Sequence, residues 1–284
     1  MMKRRAVTPW VSHAVLVIGS LIMIYPLLWM LFATFKQNAE IFGSSSILPE
    51  KFPFADPFAA YKAGWNGLTE IGFSDFYWNT IVMTVPTVLF TVISCSLVAY
   101  GFARFNFPSK KLWFAVMLST LMLPNAVIVI PRYLLFNSLG WLNTYLPFIV
   151  PALFACFPFF IFMLVQFIRG IPRELDESAK MDGCSAGGIL FKVLLPVMKP
   201  ALFSAGLFQF MWTWNEFFDV LIYVNSVEKY PLALGLRISM DTASDVQWNV
   251  VMAMGLLSVL PLVLIFFFAQ RYFVEGIATT GLKG

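Results

Sequence analysis

Apolar residues gather in six long runs that are separated by shorter polar segments. A hydrocarbon core of about 30 Å requires roughly 20 apolar residues in a helix. Six windows meet this length: 14–34, 81–100, 112–130, 145–168, 201–223 and 250–268. The pattern therefore predicts six transmembrane helices that take up most of the chain.

Composition supports a membrane protein of the all-α class. Apolar residues make up 60% of the 284 residues and charged residues only 12%, whereas soluble proteins average about 45–50% and about 25%. The three cysteines, Cys95, Cys156 and Cys184, show no CxxC spacing, and His13 is the single histidine. We therefore interpret the cysteines as small buried apolar residues, and we expect no metal site.

The distribution of basic residues predicts the orientation of the spans. The first apolar run is longer than that of a signal peptide and follows Lys3, Arg4 and Arg5, so we expect an uncleaved first helix. Six spans then place both termini in the cytoplasm. Of the 19 Lys and Arg residues, thirteen fall in segments predicted inside and six in segments predicted outside. The net charge of +4 thus reflects topology and requires no nucleic-acid partner.

These spans predict one transmembrane domain over residues 1–284 with four connecting features. The features are an extracytoplasmic loop at 36–77, a cytoplasmic loop at 170–198, a second extracytoplasmic loop at 225–247 and a cytoplasmic tail at 270–284. Loop 36–77 is too apolar to be disordered, and we expect it to be ordered with short helical turns.

The cytoplasmic loop contains the segment "IPRELDESAKMDGCSAGGILFKVLLP", which is unusually rich in charge. Pro172 suits the first turn of a helix, and Gly183 is well placed to end it. A second helix over 185–195 then leads to Pro196. A solvated connector between two spans would also explain the charge, but it would require no particular spacing.

The spacing in this segment resembles the EAA loop of ABC importer permeases. That pattern is Glu-Ala-Ala, three residues, Gly, nine residues and Ile-x-Leu-Pro; here Glu177-Ser178-Ala179 is followed at the same intervals by Gly183 and by "VLLP" at 193–196. The two departures, Ser178 and Val193, keep size and character. "WTWNEFFDVLIY" and "QRYFVEGIATTGLKG" are likewise similar to carbohydrate permeases, including the smaller permease of maltose transporters.

The resemblance implies a type I ABC importer architecture in the bacterial cytoplasmic membrane. In this family the EAA helix docks in a cleft of the ATP-binding subunit, and the tail reaches toward the interface of the two ATPases. The implied coupling residues are Glu177, Ser178, Ala179, Asp182, Gly183, Leu195 and Pro196. The implied partners are a second permease in a heterodimer, two ATP-binding subunits, an extracytoplasmic sugar-binding protein and the bilayer.

The chain itself has no GxxxxGK[ST] phosphate loop. We therefore expect neither an enzyme nor a cofactor here, with ATP and Mg used by the separate ATPase. An ion-gradient transporter is the alternative, and it would need coupling acids at the bilayer midplane and no docking loop. A membrane enzyme is disfavoured, because the sequence shows no nucleophile–base or metal-ligand set.

Two further sets of residues are candidates for contact with substrate or with the binding protein. Trp212, Asn215, Glu216 and Asp219 have the spacing of one face of a continuous fifth helix. They either line a sugar path or pair with neighbouring helices. Leu234, Gly235 and Leu236 lie in the loop that, in the family, can reach into the sugar-binding protein. An ordinary surface loop is the alternative there.

Overall fold

A computed structural model describes residues 9–53, 55–67, 71–241 and 246–281, and the regular elements among them are all helical. Lys3, Arg4 and Arg5 of the predicted first inside segment lie outside the described residues, as do residues 282–284 of the predicted tail.

The elements alternate between long apolar helices and short connecting ones. The α-helices are α1 (Pro9–Ala33), α2 (Asn38–Gly43), α3 (Ala59–Asn66), α4 (Phe73–Arg104), α5 (Lys110–Thr120), α6 (Asn125–Ser138), α7 (Leu146–Leu153), α8 (Pro158–Gly170), α9 (Glu174–Met181), α10 (Ala186–Gly188), α11 (Leu195–Val197), α12 (Lys199–Trp214), α13 (Phe218–Tyr223), α14 (Leu232–Asp241) and α15 (Trp248–Gly281). A π-helix (Ile189–Leu194) joins α10 to α11, and a 3₁₀ turn (Val227–Lys229) precedes α14.

Four stretches are long and apolar enough to cross a membrane as they stand: Trp10–Ala33, Phe73–Arg104, Leu146–Gly170 and Trp248–Phe268. Two further pairs of helices qualify only together. Lys110–Thr120 and Asn125–Ser138 meet at 100°, and Ala186–Val197 and Lys199–Trp214 meet at 77°. The described chain therefore has four candidate spans, one of which is interrupted between α7 and α8, or six if each bent pair is one span.

The expectation of one continuous helix in the third and the fifth windows was wrong. The third window breaks before Pro124, because proline has no N–H to donate and disfavours a helical residue in front of it. The fifth window breaks at residues 215–217, between α12 and α13. Helix α6 ends at Ser138, and Gly140 follows with φ +68°, a left-handed conformation that commonly terminates a helix.

The described chain divides into two compact units. One comprises the described residues up to Ser74 together with 236–260. Within it, the Asn38 side chain accepts a hydrogen bond from the Trp248 N–H and donates one to the Val246 carbonyl, both at 2.7 Å. Lys36 is buried and donates to the Ser46 carbonyl. The described residues of segment 36–77 thus include two short helices, α2 and α3.

The second unit contains residues 75–235 and the described residues from Pro261 onward. The distribution of polar and apolar side chains around its helix α4 is the reverse of that in a helix of a soluble protein. Its buried face carries the hydroxyl residues Thr80, Thr84, Thr87, Thr91 and Ser94, whereas its exposed face carries Val85, Leu89, Ile93 and Leu97. An apolar exterior over a hydroxyl-lined interior suits a hydrocarbon surrounding.

The main core of this second unit lies at the Arg104 end of α4. It brings together buried residues of α4, α8, α9, the π-helix and α12, among them Tyr100, Leu164, Ala179, Leu194 and Ala201. The core therefore joins the charged loop to three of the long helices.

Candidate functional site

The charged loop folds as a helix, a glycine turn and a second helix, as its sequence predicts. Helix α9 begins at Glu174, after Pro172, and carries three carboxylates in its first turn, where the helix dipole favours anions. Gly183 has φ +79°. Its N–H donates to Lys180 O at 3.0 Å, and the Cys184 N–H donates to Ala179 O at 2.9 Å. These two bonds form a Schellman motif, which ends the helix.

The second helix begins at a side-chain cap and then widens. The Ser185 hydroxyl accepts a hydrogen bond from the Gly188 N–H at 3.2 Å, which satisfies a free amide of the first turn. The chain continues as the π-helix Ile189–Leu194 and as α11. π-Helical turns are rare, and they occur frequently at functional sites.

A buried ion pair anchors the loop to α4. Arg104 Nε lies 2.7 Å from Asp176 Oδ2, and the two side chains are only 6% and 12% exposed. Arg104 Nη2 also donates to Ile171 O at 3.0 Å, and the Tyr100 hydroxyl donates to Ala186 O at 3.0 Å. The end of α4 therefore holds the loop both before and after its glycine turn.

This anchor was not predicted from the sequence, because Arg104 and Asp176 are far apart along the chain. Burial also differs among the apolar residues that recur at helical spacing in this segment. Ile171 and Ala179 are buried, whereas Leu175 is exposed. One signal was present: Asp176 is three residues before buried Ala179, a spacing that puts both on one helix face.

The opposite surface of the loop is open. Glu177, Ser178, Asp182, Gly183 and Pro196 are exposed, whereas Ala179 is buried and Leu195 is half-buried. Two large apolar side chains share this exposure: Met181 is 89% exposed and Phe191 is 63% exposed. Exposed apolar residues beside carboxylates are typical of a surface that binds another protein.

The predicted face of Trp212, Asn215, Glu216 and Asp219 does not form one helical stripe, because α12 ends at Trp214. The Trp212 ring contacts the rings of Phe159 and Phe160, with centroids 5.2 and 5.1 Å away. Asn215 is exposed, and its side chain donates to Met211 O at 2.8 Å. Glu216 accepts the Asp219 N–H at 3.1 Å, beyond the helix break.

Asp219 is held by Arg132 of α6. Nη2 of Arg132 lies 2.7 Å from both carboxylate oxygens of Asp219, and Nε donates to the Tyr223 hydroxyl at 2.7 Å. Nη2 also lies 3.3 Å from Asn125 Oδ1. The sequence placed Arg132 in an outside segment, and nothing in its spacing indicated this pairing between helices.

The residues proposed to touch the binding protein lie in a helix. Leu234 and Gly235 are buried in α14, and Leu236 is half-buried. A Cβ added to Gly235 would lie 2.2 Å from Cδ2 of Phe76, so the glycine permits close packing against that ring. In the described residues there is no group of three or more His, Cys, Asp or Glu that could hold a metal ion.

The apolar exteriors of the long helices and the anchored charged loop together define a multi-pass α-helical membrane protein. Its sequence then identifies the family. Residues 76–279 match the family described as "Binding-protein-dependent transport system inner membrane component", and the chain belongs to that family.

Two relatives match nearly the whole chain. The probable ABC transporter permease protein YurM of Bacillus subtilis is 34% identical over 92% of this chain and 84% of its own length. The arabinooligosaccharides transport system permease protein AraQ of Halalkalibacterium halodurans is 30% identical over 100% of both chains.

A solved structure shares the fold. It is described as the crystal structure of a bacterial ABC transporter involved in the import of the acidic polysaccharide alginate. One of its chains superposes with a TM-score of 0.82 at 23% identity, covering 96% of this chain and 99% of that chain. The predicted ABC importer permease is thus confirmed; the chain is a transport subunit and not an enzyme, and its ATPase is a separate protein.

Proposed function

We propose that this chain forms half of the translocation path of an ATP-driven importer for an oligosaccharide. The observation that carries the proposal is the loop at residues 171–197, which is bound to α4 on one side and presents Glu177, Met181 and Gly183 on the other. A rigid helix pair with one anchored and one open side is suited to receive a partner and to pass its displacement to α4, α8 and α12.

The proposed topology has six spans: α1, α4, the bent pair α5–α6, α7 with α8, α12 with α13, and α15. Both termini and the loop 170–198 then lie on the cytoplasmic side of a bacterial cytoplasmic membrane. The segments 36–77 and 225–247 face outside. The excess of basic residues in the inside segments supports this orientation.

The proposed partners follow from the same surface and from the family. Two copies of an ATP-binding subunit dock on this chain and on a second, different permease, with the EAA residues Glu177, Ser178, Ala179, Asp182, Gly183, Leu195 and Pro196 on this side. A sugar-binding protein delivers the substrate from outside. The substrate class rests on AraQ, whose name specifies arabinooligosaccharides.

The proposed substrate path has three remaining side-chain candidates in the fifth span. Trp212, Asn215 and Glu216 can offer an aromatic face, an amide and a carboxylate to a sugar. Asp219 is paired with Arg132, which favours a structural role for Asp219 over contact with the substrate. Leu234 and Gly235 are packed in α14. This packing favours an ordinary surface segment over a loop that reaches into the sugar-binding protein.

The decisive experiment is purification and reconstitution of the chain with the products of the genes next to its own. An ATPase is expected to remain with the chain in mild detergent, and uptake into vesicles should require ATP inside and the binding protein outside. Uptake that persists without ATP but collapses with the ion gradient would instead establish the secondary transporter. A ligand-binding screen of the cognate binding protein then identifies the sugar.

A further inference from the structure

Most of the charged residues that line a cavity next to the anchored loop are cations. The cavity has a volume of about 650 Å³ and lies where the ends of α4, α5 and α8 meet the start of the loop. Its charged lining residues are Arg104, Lys110, Arg169, Arg173 and Glu174. Four positive charges thus share one cavity with a single carboxylate.

Three of the four cations lack a carboxylate partner. The ion pairs found in the described residues join Lys62 to Asp56, Arg104 to Asp176 and Arg132 to Asp219. Within that part of the chain, Lys110, Arg169 and Arg173 therefore form no ion pair. Arg169 and Arg173 both lie close enough to Lys110 to repel its ammonium group.

Local contacts hold these cations close together despite their repulsion. The Arg169 guanidinium lies 5.1 Å from the centroid of the Phe114 ring, a cation–π distance. The Lys110 ammonium donates to the Phe105 carbonyl at 2.7 Å. Like charges held close together favour an anion that can bridge them, because such a ligand removes the repulsion between them.

We propose that this cavity binds the phosphate headgroup of an anionic phospholipid. Basic cavities between the ends of transmembrane helices suit such headgroups. The cavity also lies beside apolar surface: Leu112 and Trp113, the third and fourth residues of α5, are 61% and 59% exposed, and Val116 is 45% exposed. Acyl chains can cover these side chains while the phosphate contacts Lys110, Arg169 and Arg173, which a free phosphate ion cannot do.

The test compares two variants of equal charge. One replaces the cavity cations (Lys110→Gln, Arg169→Gln, Arg173→Gln), and the other replaces three exposed lysines that do not line the cavity (Lys111→Gln, Lys180→Gln, Lys192→Gln). The full chain is purified with its accompanying subunits, stripped of lipid and titrated with short-chain phosphatidylglycerol, while bound lipid is counted by native mass spectrometry.

Wild type and the exposed-lysine variant should bind phosphatidylglycerol with similar affinity. Each basic residue near the lipid contributes about fivefold, so the cavity variant should bind on the order of 100-fold more weakly. Equal losses in both variants would overturn the proposal, because they would indicate diffuse attraction by surface charge.

Three measurements on wild type keep the test valid if the cavity variant does not fold. Short-chain phosphatidylcholine should bind much more weakly than phosphatidylglycerol, and equal binding would overturn the proposal. Inorganic phosphate alone should not compete at the same concentration; effective competition would assign the cavity to a free anion. Preparations with and without the ATPase subunit should bind the lipid equally; displacement of the lipid by the ATPase would make the cavity part of the subunit interface.

Discussion

Arg104 and Asp176 form an ion pair, 2.7 Å from Nε to Oδ2, between the last residue of α4 and the first turn of α9. The pair is almost fully buried, and no other ion pair in the described residues involves the charged loop. Its position connects the surface that faces the ATPase in the proposed function directly to the longest helix of the second unit.

Loss of one member of this pair should destabilise the protein strongly. Asp176→Ala leaves the Arg104 charge buried without its partner, and breaking a buried pair in this way costs about 3–5 kcal/mol. The measurement is the thermal unfolding midpoint of the detergent-purified complex. The double variant Arg104→Met with Asp176→Leu should lie closer to wild type, since it removes both charges; a double variant as unstable as the single one would contradict this account.

Gly183→Asp should uncouple ATP hydrolysis from uptake while the chain stays in the membrane. No atom lies within 4 Å of an added Cβ, so the local structural cost is the left-handed backbone, about 1–2 kcal/mol. The new carboxylate would join Glu177 and Asp182 on the open surface. Vesicle assays should follow ATP hydrolysis and uptake together.

Gly183→Asn is the matched control, because Asn has nearly the same shape as Asp, tolerates a positive φ and adds no charge. It should retain more uptake than Gly183→Asp. Normal transport by the Asp variant would refute docking at this turn.

Asp219→Asn should reduce stability without changing the affinity for substrate. It removes the charge from two hydrogen bonds with Arg132, and hydrogen bonds to charged groups are worth about 1.5–3 kcal/mol each. Unfolding midpoints and the KM of uptake should be measured side by side, with Asn137→Ala as the exposed control. A large rise in KM at unchanged stability would instead indicate that Asp219 contacts the substrate.

Two isosteric changes on the buried face of α4 should have opposite outcomes. The Thr80 hydroxyl donates to Phe76 O and accepts the Leu232 N–H, both at 2.8 Å, whereas Thr84 Oγ1 is buried without a hydrogen-bond partner. Thr80→Val should therefore cost about 1–3 kcal/mol by leaving the Leu232 amide unsatisfied. Thr84→Val should be neutral or stabilising. The measurement is the thermal unfolding midpoint of the two variants. Equal losses of stability would show that the hydroxyl hydrogen bonds do not control stability.

Gly235→Ala should force a rearrangement around Phe76, because the new methyl would overlap the ring. Overpacking of this kind costs about 1–3 kcal/mol. The smaller side chain of Phe76→Leu should restore stability to the double variant. If Gly235→Ala instead left stability intact and impaired only the response to the binding protein, the loop would have the probing role that its sequence suggested.

The sequence predicts the apolar windows and the helix–glycine–helix loop well, because both depend on local chemistry. Hydrophobic length determines whether a segment can span a membrane, and Gly183 and Ser185 end and begin helices through their immediate neighbours. The helix break at Pro124 was also predictable from the sequence, since this proline lies in the third window. The break at residues 215–217 had no such signal, because no proline or glycine lies there.

The two ion pairs between helices could not be predicted, because their members are far apart in sequence. Arg104 and Asp176 are separated by four α-helices, and Arg132 and Asp219 by six α-helices and the π-helix. Charge counting assigned each arginine to a side of the membrane and gave no information on its partner. Only the packing of the helices brings these groups within 2.7 Å.

The broken helices also restrict what can surround this chain. Hydrocarbon cannot hydrogen-bond the peptide groups that a helix leaves free where it stops, so irregular backbone at membrane depth is tolerated only against protein or water. If α5 with α6, α7 with α8 and α12 with α13 are each one span, residues 121–124, 154–157 and 215–217 are such places, and Met122 is 84% exposed in the isolated chain. A single copy of the chain in lipid would leave these free peptide groups without hydrogen-bond partners. A neighbouring subunit or water therefore has to lie against them.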